Sequence, residues 1–370
     1  MRPETLLARA GHGGNDAVGS VVPPLHLTTT FARDAEYELV GPFVYRRYGS
    51  PTVEQAEDVL ARLDGGDRAL CFASGLSATA ALLETRVLAP RVMYHGAQDR
   101  MRDLADRGLI ELRLFDPTEE GALAGELERG GAALVWVEAL ANPTWDVIDI
   151  EACARLDTSA GAALVVDSTA APPVTTRPLD LGATVVLHST TKYLNGHSDS
   201  MGGALVGATD AVDWEALEHA RKLTGTVMPP LDAWLLLRGL RTLALRFERA
   251  SRNALAVAGF LAGHAAVERC LYPGLPAHPH HELARRQMTG GFGGMLSALV
   301  HGGAERAVEI ATSLRCFIPA TSLGGVESLV EHRASVEGPH STVPGNLLRF
   351  SIGIEHEADL LDDLERVLGG

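Results

Sequence analysis

The chain is constrained most by two short apolar, β-branched runs, Ala163-Leu164-Val165-Val166 and Ala183-Thr184-Val185-Val186-Leu187, each of which leads straight into polar chemistry. Runs of this length, bounded by polar, Gly and Pro residues, read as strands covered on both faces, the habit of parallel sheets. The first stops at Asp167. The second continues into His188-Ser189-Thr190-Thr191-Lys192-Tyr193. In open α/β sheets ligands sit beyond the carboxyl ends of strands, so the two groups are expected to face one crevice.

A carboxylate and a lysine in one crevice, with hydroxyls beside the lysine, suit pyridoxal 5'-phosphate (PLP). Lys192 would form the Schiff base, Asp167 would hold the pyridinium proton, and Ser189 and Thr191 would hydrogen-bond the phosphate. Taken singly, a strand-ending Asp is often only a helix cap, and a Ser/Thr-Lys pair is usually surface. The rest of the chain decides between these readings.

Upstream, Ala69-Leu70-Cys71-Phe72 reads as a strand, and Ala73-Ser74-Gly75-Leu76-Ser77-Ala78 opens an Ala/Leu-rich helix. The free amides of Gly75 and Leu76 at such a helix start form an anion site, suited to the same phosphate. Val92-Met93-Tyr94, Leu112-Arg113-Leu114-Phe115 and Ala133-Leu134-Val135-Trp136-Val137 read as further strands, the last leading to Glu138 and Asn142. Strands alternating with helical stretches from 69 to 207 predict a mainly parallel α/β sheet. Before it, Ser50 and Pro51 cap a helix that runs to Leu63 and stops at Gly65-Gly66. Residues 1 to about 50 are rich in Gly, Pro and Thr, an irregular arm expected to lie on another subunit or domain.

Beyond about 210 the pattern turns helical, with Gly239 marking a bend in an otherwise over-long helix. Met295–Val300 and Leu347–Ile352 read as later strands, and the second carries Arg349 in an apolar setting. A buried arginine needs an anionic partner, either a substrate carboxylate or an internal Asp or Glu, and the sequence leaves both open.

The net charge of −15 excludes a nucleic-acid surface, which needs a basic face. No apolar run has membrane-spanning length and no signal peptide is evident, so a cytoplasmic protein is expected. Cys71, Cys153, Cys270 and Cys316 are too scattered for metal ligation, and His278, His280 and His281 read as loop surface, so no metal is expected.

Together, the segments VYRRYGSPT, FASGLSAT, EALANPTWDVIDI, VVDSTAAPP, HSTTKYLNGHSD, LLLRGLRTLALR, YPGLP, GGFGGMLS, SLGGVESLVEH and LLRFSIGIE resemble the Cys/Met-metabolism PLP enzymes across nearly the whole chain. That family contains cystathionine γ-synthase, the cystathionine lyases, methionine γ-lyase and the homoserine-ester sulfhydrylases. The resemblance implies an aspartate-aminotransferase-type fold (fold type I): a mainly parallel seven-stranded sheet and a smaller α/β C-terminal domain. It implies an arm over 1–47 that helps build a neighbour's site, a PLP domain over 48–240, a C-terminal domain over 241–370, and a homotetramer of two catalytic dimers. By motif, Tyr45 and Arg47 would reach the phosphate of the adjacent subunit's PLP. Gly75 and Leu76 would give amides, Ser189 and Thr191 hydroxyls, Asp167 the pyridine partner, Thr169 a contact with the ring, and Lys192 the Schiff base. Asn142, Ser322 and Arg349 would hold the substrate's α-carboxylate.

The implied reaction is γ-elimination on cystathionine or a related amino acid, giving a 2-oxo acid, ammonia and a thiol, within trans-sulfuration and methionine or cysteine biosynthesis. The alternative is γ-replacement by a synthase that uses a homoserine ester; an inactive PLP-fold scaffold is a third reading. Three departures bear on the substrate. Counted without gaps, Gln98-Asp99-Arg100-Met101 falls where the family carries a ring-stacking tyrosine, so that tyrosine is expected to be missing, Tyr94 lying too early unless the strand is shifted. Arg46 replaces a usual Ser, and Thr321 stands where cystathionine-handling members often have Glu.

Overall fold

The computed structural model describes residues 1–12, 19–83, 86–117, 119, 121–337 and 343–369. The first regular element that bears on the site, helix Pro51–Asp64, starts where its residues dictate. The Ser50 hydroxyl accepts from the Val53 amide, Pro51 fills the first turn, and Gly65 closes the helix in the left-handed region at φ 81°.

Seven strands follow: β1 (Arg68–Phe72), β2 (Arg86–Pro90), β3 (Glu111–Phe115), β4 (Leu134–Glu138), β5 (Ala163–Asp167), β6 (Val185–His188) and β7 (Gly203–Gly207). They form one sheet in the order β1-β7-β6-β5-β4-β2-β3. β7 runs antiparallel to β1 and β6, and every other neighbouring pair is parallel. The mainly parallel α/β sheet expected from the sequence is therefore present. Its strands alternate between two apolar layers. Val135, Val137, Leu164 and Val166 join one core, while Trp136, Val165, Val185 and Leu187 join the other. Helices cover both faces, which is why these strands read as continuous hydrophobic runs.

One expected strand is misplaced. Val92-Met93-Tyr94 is not extended in the sheet; β2 lies earlier, at Arg86–Pro90, and Tyr94 caps the following helix His95–Asp106. The RVLAP run was overlooked because Arg and Pro flank only three apolar residues. The expected bend near Gly239 is a break just after it, between helices Pro230–Leu240 and Leu243–Gly263. Gly239 is required for another reason: a Cβ there would lie 2.2 Å from the Asn195 carbonyl oxygen.

A second sheet takes β8 (Val267–Leu271), β9 (Met295–Val300), β10 (Ile318–Pro319), β11 (Leu329–His332) and β12 (Leu347–Ser351) in the order β10-β11-β12-β9-β8. One face packs Leu296, Ala298, Val330, Leu348 and Phe350 into a separate core. By strand alternation the other face carries Ser297, Glu331 and Arg349, which stand in register with one another. That polar face is tied to the loop after β4: Trp145 donates its indole N–H to the Ser297 hydroxyl at 2.8 Å, and Ser297 donates to the Pro143 carbonyl at 2.8 Å. Helix Leu243–Gly263 joins both halves, with Phe247 in the large core and Val257 in the small one.

Candidate active site

The carboxyl ends of β4, β5 and β6 converge, as the strand order demands. Asp167 ends β5 and stands in register with Glu138 at the end of β4. Two buried carboxylates side by side cannot both ionise cheaply, so each raises the proton affinity of the pair. Glu138 is pushed up to about 8, first by burial and then by Asp167. Asp167 is also raised by burial, but hydrogen bonds from Thr169 and the charge of His188 oppose the rise. The Thr169 amide donates to Asp167 Oδ1 at 2.9 Å. Both carboxyls are held above their ordinary values, and Thr169 and His188 oppose the rise at Asp167 by favouring its charged form. Behind them, His188 Nε2 meets both oxygens of buried Asp64 at 3.1 and 3.0 Å.

Lys192 lies in the loop after β6. Arg246 fixes that loop, its guanidinium donating to the carbonyls of Tyr193 at 2.9 Å and Gly239 at 2.8 Å. The Lys192 ammonium donates to the Ser322 hydroxyl at 2.7 Å. Burial first and then the charge of Arg349 bring its pKa down to about 8, with Glu331 opposing. Ser322 holds φ 98°, a strained backbone for a residue with a side chain and a common mark of functional sites.

Arg349 has the internal anionic partner that its sequence allows. Its guanidinium donates to the Asn142 side-chain oxygen at 3.3 Å and to the Ser322 carbonyl at 3.0 Å, and it is ion-paired with Glu331. Asn142, Ser322 and Arg349 are thus brought together beside Lys192. Thr321 is exposed next to them.

The phosphate end is a cradle. Helix Gly75–Leu82 starts beside Ser189, and a Cβ on Gly75 would lie 2.9 Å from Ser189 Cβ and 3.1 Å from its hydroxyl. Ser74 caps the helix by accepting from the Ser77 amide, which leaves the first amides, Gly75 and Leu76, at the helix mouth. The Thr169 hydroxyl accepts from the Ser189 amide at 2.8 Å, locking the end of β5 to the end of β6. The Thr191 hydroxyl clasps Gly202, accepting from its amide at 3.0 Å and donating to its carbonyl at 3.2 Å. Tyr45 and Arg47 stand apart in the arm, where the Arg47 guanidinium lies over the rings of Tyr45 and Tyr48. Among the described residues, no hydrogen bond or ion pair joins either of them to Asp167 or Lys192.

β2 is shifted in the direction that would bring Tyr94 towards the place of the ring-stacking tyrosine that the resemblance implies. Gln98 and Met101 are buried in helix His95–Asp106, and Gln98 donates to the Arg91 carbonyl at 3.0 Å. Because β2 ends early, Tyr94 occupies the turn at its end, partly exposed, with its amide donating to Glu138 Oε1 at 2.5 Å. The Asn142 amide donates to the other Glu138 oxygen at 3.2 Å, so one carboxyl pins both loops. In the sequence Glu138 shows only as a strand end and Glu331 does not stand out, because the partners of both are set by strand register.

Among the described residues no cluster of His, Cys, Asp or Glu could hold a metal. His280 Nδ1 instead accepts from the Val147 amide at 3.2 Å, and His281 bonds the Pro273 carbonyl at 2.9 Å. None of the four cysteines forms a disulfide. No helix among the described residues is long and apolar enough to cross a membrane.

A strand-end aspartate, an amine of lowered basicity and a helix-mouth cradle together suit PLP and mark a PLP-binding α/β enzyme. The family model for Cys/Met metabolism PLP-dependent enzymes matches residues 4–369, and the chain belongs to that family. A cystathionine gamma-synthase of Mycobacterium tuberculosis is 44% identical, covering 99% of this chain and 97% of that protein. A cystathionine gamma-lyase of Sus scrofa is 38% identical over 99% of this chain and 94% of that protein. The crystal structure of cystathionine gamma synthase from Xanthomonas oryzae in complex with cystathionine matches 100% of this chain and 98% of that one, with TM-score 0.95 and 37% identity.

Proposed function

We propose that the enzyme breaks a bond at the γ-carbon of cystathionine or a closely related amino acid, releasing a 2-oxo acid, ammonia and a thiol. The observation that carries this reading is the Lys192 amine. It is held by Ser322 beside Arg349, with its basicity lowered to about 8. An amine poised near working pH can both take and return protons, and γ-chemistry requires repeated proton transfers along the substrate chain.

Bound PLP supplies an electron sink for charge that develops at the substrate's α-carbon. Lys192 would anchor it, and its free amine would act as the base at the α-carbon and carry protons onward. Asp167 would be the partner of the pyridine nitrogen, with Thr169 holding Asp167 in place. The amides of Gly75 and Leu76 and the hydroxyl of Ser189 receive the phosphate. The Thr191 hydroxyl braces this loop through Gly202 and turns to the phosphate only if that clasp opens. Tyr94, whose amide Glu138 pins, would be the residue to stack on the ring. Arg349 and Asn142 orient the α-carboxylate. Tyr45 and Arg47 complete the phosphate site of a neighbouring subunit in a homotetramer. Thr321 and Arg46 line the entrance, so the distal end of the substrate meets a neutral side chain and an added cation there.

γ-Replacement is the second reading, favoured by the name of the Mycobacterium tuberculosis relative. Both are tested on purified protein and its Lys192→Ala variant, given L-cystathionine or, separately, an O-acylated homoserine with L-cysteine. Elimination predicts ammonia and 2-oxobutanoate from cystathionine alone. If the protein shows only thioether formation from the ester, synthase replaces lyase. A Lys192→Ala variant that retains either activity would sink both.

A further inference from the structure

Arg349 is one member of a buried charge chain that crosses between the two sheets. Glu331, 4% exposed, divides its carboxylate: one oxygen pairs with Arg349 and the other lies 3.3 Å from Arg333, itself 3% exposed. Arg333 also donates from Nε to Glu337 at 2.8 Å and from Nη2 to His95 Nδ1 at 2.8 Å. Arginine can only donate, so His95 must accept with an unprotonated Nδ1. His95 directly follows Tyr94 and opens the helix that starts beyond β2, whereas Arg333 directly follows β11 in the second sheet. The bond therefore ties the tyrosine turn to the carboxylate anchor across 238 positions of sequence.

The charge balance gives this chain a purpose. Arg333 and Arg349 are two buried cations that share the single carboxylate of Glu331. Glu331 therefore neutralises neither of them alone, and a carboxylate arriving at Arg349 meets a guanidinium whose charge is only partly matched, which is what makes such a site select an anion. Without Arg333, Glu331 would be free to pair with Arg349 alone.

We propose that Arg333, held by His95, is a positioning residue that keeps Arg349 available to the substrate's carboxylate by drawing off half of Glu331. The proposal rests on Arg349 being the carboxylate anchor. Its test uses the PLP-loaded enzyme titrated with L-norleucine or with L-norleucinamide, neither of which has a γ leaving group, binding being followed by the change in cofactor absorbance.

Members of one salt-bridge network couple strongly, so Arg333→Met should raise the dissociation constant for L-norleucine about tenfold while moving that for the amide less than about twofold. Arg333→Lys should recover part of the loss. Arg349→Met should discriminate acid from amide more strongly still. His95→Phe, which keeps every charge, guards against misfolding of the Arg333 variants and should show the same selectivity to a smaller degree. Equal shifts for both ligands in Arg333→Met, or none, while Arg349→Met discriminates, would overturn the proposal and leave Arg333 a structural residue. If Arg349→Met itself fails to discriminate, the carboxylate-anchor reading falls first and takes this one with it.

Discussion

At the scale of the residue, Lys192 is the side chain whose environment is most at odds with its charge. Burial and Arg349 hold its folded pKa at about 8, well below the ordinary lysine value. Below pH 8 both folded and unfolded chains carry the proton, and the folded chain bears the full cost of confining it. Between about 8 and the ordinary lysine value, the folded chain sheds the proton first, so the unfolded state binds more protons and stability rises with pH. Lys192→Met in the cofactor-free protein should therefore raise stability by about 1–3 kcal/mol at pH 7. The gain should shrink as pH climbs towards 10. Urea unfolding of both proteins at pH 7 and pH 9.5 checks this; a gain that does not fall with pH would mean that the amine is not desolvated in the folded state. The same tension serves function, because an amine that is costly to keep charged is a ready nucleophile and base.

At the scale of the element, the loop that carries Lys192 depends on contacts made by distant helices. Gly239 lies inside helix Pro230–Leu240, where Ala would ordinarily be favoured by about 1 kcal/mol. Here its Cβ would press on the Asn195 carbonyl at 2.2 Å, a contact with rigid backbone, and overpacking of this kind costs about 1–3 kcal/mol. The clash wins. Gly239→Ala should lower stability despite its better helix propensity, and should slow uptake of PLP by displacing Lys192; thermal unfolding and the rate at which cofactor absorbance appears would show both. If the variant is more stable, the approach of helix to loop is looser than described.

Such elements also show what the sequence could reveal. Asp167 and Lys192 were legible because each ends a short apolar run, and the cap at Ser50 because its signal is local. The neighbour relation of Glu138 and Asp167 depends on the register of β4 and β5, which no single stretch encodes. The Arg333–His95 bond joins two helix starts in different halves of the fold. A strand at Val92–Tyr94 lies too late because β2 contains only three apolar residues between Arg86 and Pro90, a run too short to stand out in the sequence.

At the scale of the whole molecule, the arm is the part whose shape this one chain does not explain. Tyr37 is 76% and Val40 71% exposed, and Tyr45 and Tyr48 are also open to solvent. The arm is nonetheless anchored, since the Trp234 indole donates to the Pro23 carbonyl at 2.9 Å. Large apolar groups held in a fixed but uncovered strip mark an interaction surface, and the resemblance assigns it to a second copy. If Tyr45 and Arg47 serve the partner's PLP, a Lys192→Ala protomer still offers an intact arm, and an Arg47→Ala protomer still offers an intact lysine. Each variant alone should be nearly inactive. Unfolded together in equal amounts and refolded, half the dimers would be hybrids with one complete site of two, restoring about a quarter of wild-type activity in a two-fold symmetric pair. Mixing without unfolding should restore less, because subunits must exchange first. If each arm serves its own chain, the hybrid contains no complete site and the mixture stays as inactive as its parts.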